Sequence, residues 1–311
     1  MISRAGLATA ALFLAGCNLN AGGPSLHHPD LSLSEVARNG EADSRVFTSY
    51  NAKGPVRWNQ GWPWKFDLTG IGWDVSTAVT AITPRHVVMA NHYQRETGGK
   101  AVFHDRNGRP HTRTVIKVLH VQGDVALGLL DRPLPKSIRT YPLPEISTEN
   151  MDELAGAQVL VTEQKRRLYF HQIKATNGTF VRFQYDTRLD ESKKKRLISG
   201  DSGNPSFLLS KGELVLIETH SSGGPGAGPF YGNPEVIAAL RKTLSQLDPG
   251  YQLRTITIDK KVMKEAREAR ALMPKPTTPT RSQTTPQPSP SNTTTPSSRT
   301  PRPRLVRPPS Q

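Results

Sequence analysis

The stretch that decides the fold is residues 199–205, which read SGDSGNP. It places Ser202 between glycines, directly after an aspartate and just before an apolar run over residues 207–217. Glycines permit a tight turn and a close approach of another backbone, and an exposed nucleophilic serine requires both. The N–H groups of Gly200 and Ser202 are then candidates to stabilise an oxyanion. For this string alone, an ordinary glycine-rich turn between strands is the alternative interpretation.

Two upstream segments favour the nucleophile. Residues 81–92 read AITPRHVVMANH and end in His92, and residues 120–127 read HVQGDVAL and contain Asp124. Together with the serine stretch, they resemble the three motifs of the chymotrypsin-like serine proteases, in the order His, Asp, Ser found in that family. The match covers about residues 45–248, and three motifs in order are far more specific than any one of them.

This resemblance implies an all-β fold of two six-stranded antiparallel β-barrels followed by a C-terminal helix. It implies Ser202 as nucleophile, His92 as general base and then acid, and Asp124 as the carboxylate that orients His92. The oxyanion hole would be formed by the N–H groups of Gly200 and Ser202. The expected activity is hydrolysis of peptide bonds in a protein or peptide substrate, with no metal and no organic cofactor.

Candidate substrate-binding residues flank the serine stretch. In the family, the residue six positions before the serine lies at the base of the specificity pocket, and here it is Arg196. The segment His220, Ser221, Ser222 and Gly223 matches the edge that pairs with substrate backbone. A histidine placed like His220 resembles the bacterial glutamyl endopeptidases and predicts an acidic P1 side chain. A loop of different length would instead turn Arg196 to solvent, and Ser221-Ser222 departs from the aromatic often found there.

Asp201 poses a separate question. In zymogen-type members of the family, the matching aspartate pairs with a new N-terminal amine, but the chain has no recognisable activation site. A buried, unpaired carboxylate would be costly. We therefore expect another partner for Asp201, which the sequence does not name.

The N-terminus reads as a targeting segment. Residues 1–16 combine a short basic start with an apolar stretch too short to span a bilayer. Leu14 to Cys17 resembles the lipobox of bacterial lipoproteins, in which Cys17 would receive lipid. Cys17 is the only cysteine, so no intramolecular disulfide forms. The expected location is the bacterial cell envelope, lipid-anchored at the outer membrane or the periplasmic face, and the alternative is a plain secretory signal.

The remaining boundaries follow from composition. Residues 17–41 are expected to be a tether that includes a short helix capped by Ser32 or Ser34, and residues 42–248 the protease-like domain. Residues 249–273 are expected to form a strand and a charged helix capped by Asp259. Residues 274–311 are rich in Pro, Thr and Ser and are expected to be disordered.

The charge is strongly positive, with a formal net charge of +15 from 41 basic and 26 acidic residues. The tail carries six of the basic residues and no acidic one. No nucleic-acid motif accompanies this charge, so a solvated spacer is the preferred interpretation, with contact to anionic envelope polymers as the alternative. Four tryptophans between residues 58 and 73 are expected to pack in the core and at its rim, with a carbohydrate-stacking patch as the alternative.

Two other functions remain open from the sequence. A protease-fold lipoprotein could bind peptides or polymers without cutting them, if the three motif residues did not meet in space. An esterase would use the same three residues. The first alternative predicts that His92 lies far from Ser202 and Asp124.

Overall fold

The structure is a computed structural model that describes residues 30–73 and 77–272. The predicted signal peptide, Cys17 with its expected lipid, residues 17–29 of the expected tether and the tail from residue 274 lie outside the described residues. The described residues form one compact unit. No helix within the described ranges is both long enough and apolar enough to cross a membrane.

Sixteen strands and three α-helices make up this unit. The strands are β1 (Phe47–Ser49), β2 (Arg57–Trp58), β3 (Ile71–Trp73), β4 (Ala78–Ala81), β5 (His86–Ala90), β6 (Lys100–His104), β7 (Pro110–Gln122), β8 (Val125–Leu130), β9 (Leu143–Glu145), β10 (Gln158–Thr162), β11 (Leu168–Asn177), β12 (Phe180–Tyr185), β13 (Pro205–Ser210), β14 (Glu213–Thr219), β15 (Ala227–Pro229) and β16 (Thr255–Thr257). The helices are α1 (Leu33–Asn39), α2 (Pro234–Leu247) and α3 (Lys260–Ala271).

The architecture is a double barrel built from two six-stranded antiparallel sheets. The first sheet has the order β3-β4-β5-β8-β7-β6, and its two end strands come back into contact. The second has the order β14-β13-β10-β11-β12-β15. One sheet is nearly closed and the other is a half-barrel. The predicted fold class, two six-stranded antiparallel barrels with a C-terminal helix, is therefore confirmed.

Local sequence signals account for several elements. The predicted hairpin at Asn177-Gly178 joins β11 to β12, and Gly178 has φ +58, a conformation that glycine adopts readily. Helix α2 begins with Pro234, and the Asn233 side chain accepts hydrogen bonds from the N–H groups of Glu235 and Val236. Asp259 caps α3 in the same way. These caps were predicted from sequence and are confirmed.

The expected tether is wrong over the α1 segment. Helix α1 buries Leu33, Val36 and Ala37 in the largest core cluster instead of linking domains through solvent. Its Ser32 and Ser34 hydroxyls do not cap the helix but donate to the Glu265 carboxylate on α3. The segment before the first barrel is thus tied to the C-terminal helix.

Residues 249–272 are integral to the unit rather than an appendage. Strand β16 pairs in parallel with β9, the segment between the two barrels. Helix α3 buries Ala266 and Ala269 and approaches Gly156 so closely that a Cβ there would lie 2.3 Å from the Ala266 carbonyl oxygen. The chain after α2 therefore packs against both the inter-barrel segment and the second barrel.

Of the three core clusters that the described residues form, the largest runs through both sheets. Tyr141 and Phe207 pack with ring centroids 4.7 Å apart, and Trp62 and Phe170 with centroids 5.1 Å apart. Trp58, Trp62 and Trp73 are buried in this cluster, which confirms the predicted core role. The guanidinium of Arg106 lies 3.2 Å from the centre of the Trp64 ring and covers part of that side chain.

Candidate active site

Neighbouring strands bring His92 and Asp124 together. Strands β5 and β8 are antiparallel, so that Ala90 at the end of β5 pairs with Val125 at the start of β8. The Asn91 N–H then donates to the Asp124 carbonyl oxygen, at 3.1 Å. His92 follows in a 3₁₀ turn, and its Nδ1 lies 2.8 Å from Asp124 Oδ2. Because Asp124 can only accept when ionised, Nδ1 is the protonated nitrogen and Nε2 is free to act as a base.

Ser202 reaches this pair from the second barrel. Its Oγ lies 2.9 Å from His92 Nε2, within hydrogen-bond reach. The turn is fixed by the Gly203 N–H, which donates to the His220 carbonyl oxygen at 2.9 Å. Gly203 has φ +80, and a Cβ there would lie 3.4 Å from the Ala78 carbonyl oxygen of β4. Glycine therefore suits this position by its left-handed conformation, since a Cβ would make only an ordinary contact with the first barrel.

Asp124 is held by three hydrogen bonds. Besides His92 Nδ1, it accepts from the His92 N–H at Oδ1, at 2.8 Å, and from the Ser221 hydroxyl at Oδ2. Its side chain is 20% exposed, whereas that of His92 is 48% exposed. The arrangement fixes the carboxylate and leaves the imidazole accessible to a ligand. Ser221, predicted to contact substrate, therefore directs its side chain to Asp124.

The turn before Ser202 presents two free amides. Gly200 has φ +94, and Gly200 and Ser202 are separated only by Asp201. Neither the Gly200 N–H nor the Ser202 N–H has a hydrogen-bond partner among the residues that the structure describes. These are the two donors predicted from sequence to form an oxyanion hole, and both are available to a ligand.

Within the described ranges, the partners of the Asp201 carboxylate are main-chain N–H groups. The carboxylate is 1% exposed and accepts from the Ile198 N–H at 2.8 Å and from the Gln164 N–H at 3.2 Å. Hydrogen bonds from N–H groups stabilise a buried carboxylate without a counter-ion. This arrangement answers the question that the sequence left open, and it ties the serine turn to the β10–β11 loop.

Two predicted substrate-binding side chains lie elsewhere than expected. Arg196 is exposed, so its predicted place at the base of a pocket is wrong; the loop before the serine turn directs it to solvent. His220 is 1% exposed, and its Nε2 donates to the Thr162 carbonyl oxygen at 3.0 Å. The side chain is therefore not available at the surface for a substrate carboxylate. Ser222 and Gly223 are exposed on the predicted edge.

Glu218, which the sequence did not single out, is buried together with His220 beneath the serine turn. His220 Nδ1 lies 2.8 Å from Oε1 of Glu218, a side chain that is fully buried, but the two groups are not aligned as a hydrogen bond. Burial opposes charging of His220, yet the Glu218 carboxylate outweighs it and raises the pKa of the imidazole. Residues 218 and 220 are two apart, a spacing that places side chains on one face of an extended chain but does not show that the face is internal.

His171 holds the loop that leads into the serine turn. Its Nδ1 donates to the Pro225 carbonyl oxygen at 2.6 Å, and its Nε2 accepts from the Lys195 N–H at 3.2 Å. Burial lowers the pKa of His171 to about 4, so the imidazole is neutral near pH 7. No sequence motif marks this residue.

A scan against profiles of protein families gives no match, and a search among curated proteins also gives none.

Proposed function

We propose that this protein is a serine endopeptidase. The observation that carries the proposal is the continuous chain of contacts from Asp124 to His92 to Ser202. Two amides that donate to no described residue lie next to it. A serine hydroxyl becomes a nucleophile when a base lies within hydrogen-bond reach and a third group orients that base. The two sheets of the double barrel supply these groups from separate positions in the chain.

The first chemical step is acylation of Ser202. Its Oγ attacks the scissile carbonyl carbon while His92 Nε2 takes the hydroxyl proton. The carbonyl oxygen becomes an oxyanion and accepts from the Gly200 and Ser202 N–H groups. Collapse of this tetrahedral intermediate breaks the C–N bond, and His92 returns the proton to the leaving amine.

Deacylation repeats the sequence with water as the nucleophile. His92 Nε2 takes a proton from water, the ester carbonyl is attacked, and Ser202 leaves with the proton from His92. Throughout, Asp124 stabilises the imidazolium, because its carboxylate lies 2.8 Å from Nδ1. Ser221 and the His92 N–H keep this carboxylate in position.

The proposal includes an envelope location but no acid-selective pocket. The lipobox-like segment ending at Cys17 supports a lipid anchor on the membrane. Preference for an acidic P1 side chain is not part of the proposal, because Arg196 is exposed and His220 is buried.

A peptide library tests the proposal directly. The purified mature chain is incubated with mixed-sequence peptides, and new termini are identified by mass spectrometry, with Ser202→Ala as the matched control. We expect internal cleavages by the parent and none by the variant. Turnover of a nitrophenyl ester without peptide cleavage would support an esterase instead. No turnover of either by a folded parent would support a binding protein.

A further inference from the structure

The Gln164 side chain contacts one side of the peptide that joins Ser199 to Gly200. The Gln164 Nε2 donates to the Ser199 carbonyl oxygen, at 3.1 Å. The side chain lies directly against Gly200, since a Cβ on that glycine would be 2.6 Å from Gln164 Oε1. The Gln164 main-chain N–H also donates to Asp201, the next residue in the turn. One residue of the β10–β11 loop thus contacts three successive residues of the serine turn.

The geometry of a trans peptide gives this contact a consequence. Its C=O and N–H point in opposite directions across one plane. With the Ser199 C=O directed to Gln164, the Gly200 N–H is directed away from Gln164, and no described residue accepts from it. The bond to Gln164 therefore stabilises the orientation in which the Gly200 amide is free for an oxyanion.

The same side chain can also stabilise the opposite orientation. A carboxamide carries both a donor and an acceptor. If the peptide rotated by half a turn, the Gly200 N–H would face Gln164 Oε1 and the Ser199 C=O would face away. The oxyanion hole would then lose one donor and gain a repelling oxygen.

We propose that Gln164 is a positioning residue that selects the competent orientation of the Ser199–Gly200 peptide and so assembles the oxyanion hole. This inference rests on the proposed function and identifies what keeps the oxyanion hole of that site in its competent form. Asp201 satisfies its carboxylate from the Gln164 and Ile198 N–H groups, so Gln164 contributes to the turn through both main chain and side chain.

Two variants separate this role from simple packing. Gln164→Glu keeps the size but replaces the donor with an acceptor, so it repels the Ser199 C=O and attracts the Gly200 N–H. Gln164→Ala removes both groups and selects neither orientation. Gln246→Glu, the same change at an exposed position on α2, is the matched control. The main-chain bond to Asp201 persists in all three.

The first readout is kinetic. On a peptide cleaved by the parent, we expect Gln164→Glu to lower kcat by about tenfold to a hundredfold with KM nearly unchanged, because one oxyanion donor is lost in most molecules. The kcat of Gln164→Ala should fall less than that of Gln164→Glu, and the kcat of Gln246→Glu should equal that of the parent. A kcat for Gln164→Glu equal to that of the parent would overturn the inference. A larger loss of kcat in Gln164→Ala than in Gln164→Glu, together with a lower melting temperature of Gln164→Ala, would also overturn it.

The second readout needs no activity. Crystal structures of the parent and Gln164→Glu show the peptide orientation directly, and we expect the Ser199 C=O to face residue 164 in the parent and to face away in the variant. The same orientation in both proteins would overturn the role of Gln164. An inactive parent with the expected difference in orientation would count against the proposed function alone.

Discussion

At the scale of single residues, the Asp124 carboxylate depends on groups from both barrels. The hydroxyl of Ser221 donates to the oxygen that also contacts His92 Nδ1. We predict that Ser221→Ala lowers kcat about tenfold with little change in KM, since Asp124 gains freedom to leave the imidazole. Ser245→Ala, at an exposed position on α2, should have no effect. Unchanged peptide hydrolysis by Ser221→Ala would show that Asp124 needs no such support.

The residues of the candidate triad could be predicted because short motifs carry them. Ser221, Arg196 and His220 were placed by alignment of loops, and alignment does not say which way a side chain points. Ser221 faces Asp124, Arg196 faces solvent, and His220 faces the interior. Asp201 is satisfied by main-chain N–H groups, which are common to nearly all residues and leave no pattern in a sequence.

At the scale of elements, His171 joins β11 to the loop before the serine turn. Its pKa is lowered to about 4 by burial, below the ordinary value of 6.5. Between these pH values the unfolded chain binds a proton that the folded chain does not, so stability falls as the pH falls through this window.

His171→Gln tests this linkage because glutamine can keep one donor and one acceptor. We predict that the loss of unfolding free energy between pH 7 and pH 4 is smaller in the variant by roughly 3 kcal/mol, measured by urea titration. His120→Gln, at an exposed position on β7, should retain the full loss. Equal losses of unfolding free energy in the parent and in His171→Gln would contradict a lowered pKa for His171.

Substitutions at two glycines test the contact between α3 and the second barrel. Gly156 has φ +95, and a Cβ there would lie 2.3 Å from the Ala266 carbonyl oxygen, whereas Gly178 has φ +58 and open space around it. Both Gly→Ala changes force alanine into a left-handed conformation, at about 1 kcal/mol. We predict that Gly156→Ala costs about 2 kcal/mol more than Gly178→Ala, because only the first displaces α3. Similar urea midpoints for the two variants would mean that α3 packs loosely.

Elements with local signals were the predictable ones. Hairpins with Asn-Gly and helices with Asn or Asp caps depend on a few adjacent residues, and these appeared as expected. The packing of α1 was missed because Ser32 and Ser34 find their partner, Glu265, more than 230 residues away. The parallel pairing of β9 with β16 likewise joins segments separated by the whole second barrel.

At the scale of the whole molecule, the candidate site exists only where the two barrels meet. His92 and Asp124 lie in turns next to strands of the first sheet, and Ser202 and Ser221 lie in loops next to strands of the second. One core cluster extends through both sheets. We predict a single unfolding transition in urea. Tryptophan fluorescence reports the core that joins the two barrels, because Trp62 packs against Phe170 of β11. It should therefore have the same midpoint as peptide hydrolysis, and loss of hydrolysis well before the fluorescence change would contradict a single transition.

Covalent labelling tests the central claim, an activated Ser202, most directly. The folded parent and Ser202→Ala are exposed to a fluorophosphonate, and each is examined by intact mass and peptide mapping. The account predicts one adduct on the parent, located on Ser202, and none on the variant, because only an oriented base makes a serine hydroxyl react at neutral pH. No adduct on the folded parent, or equal labelling of Ser202→Ala, would contradict it.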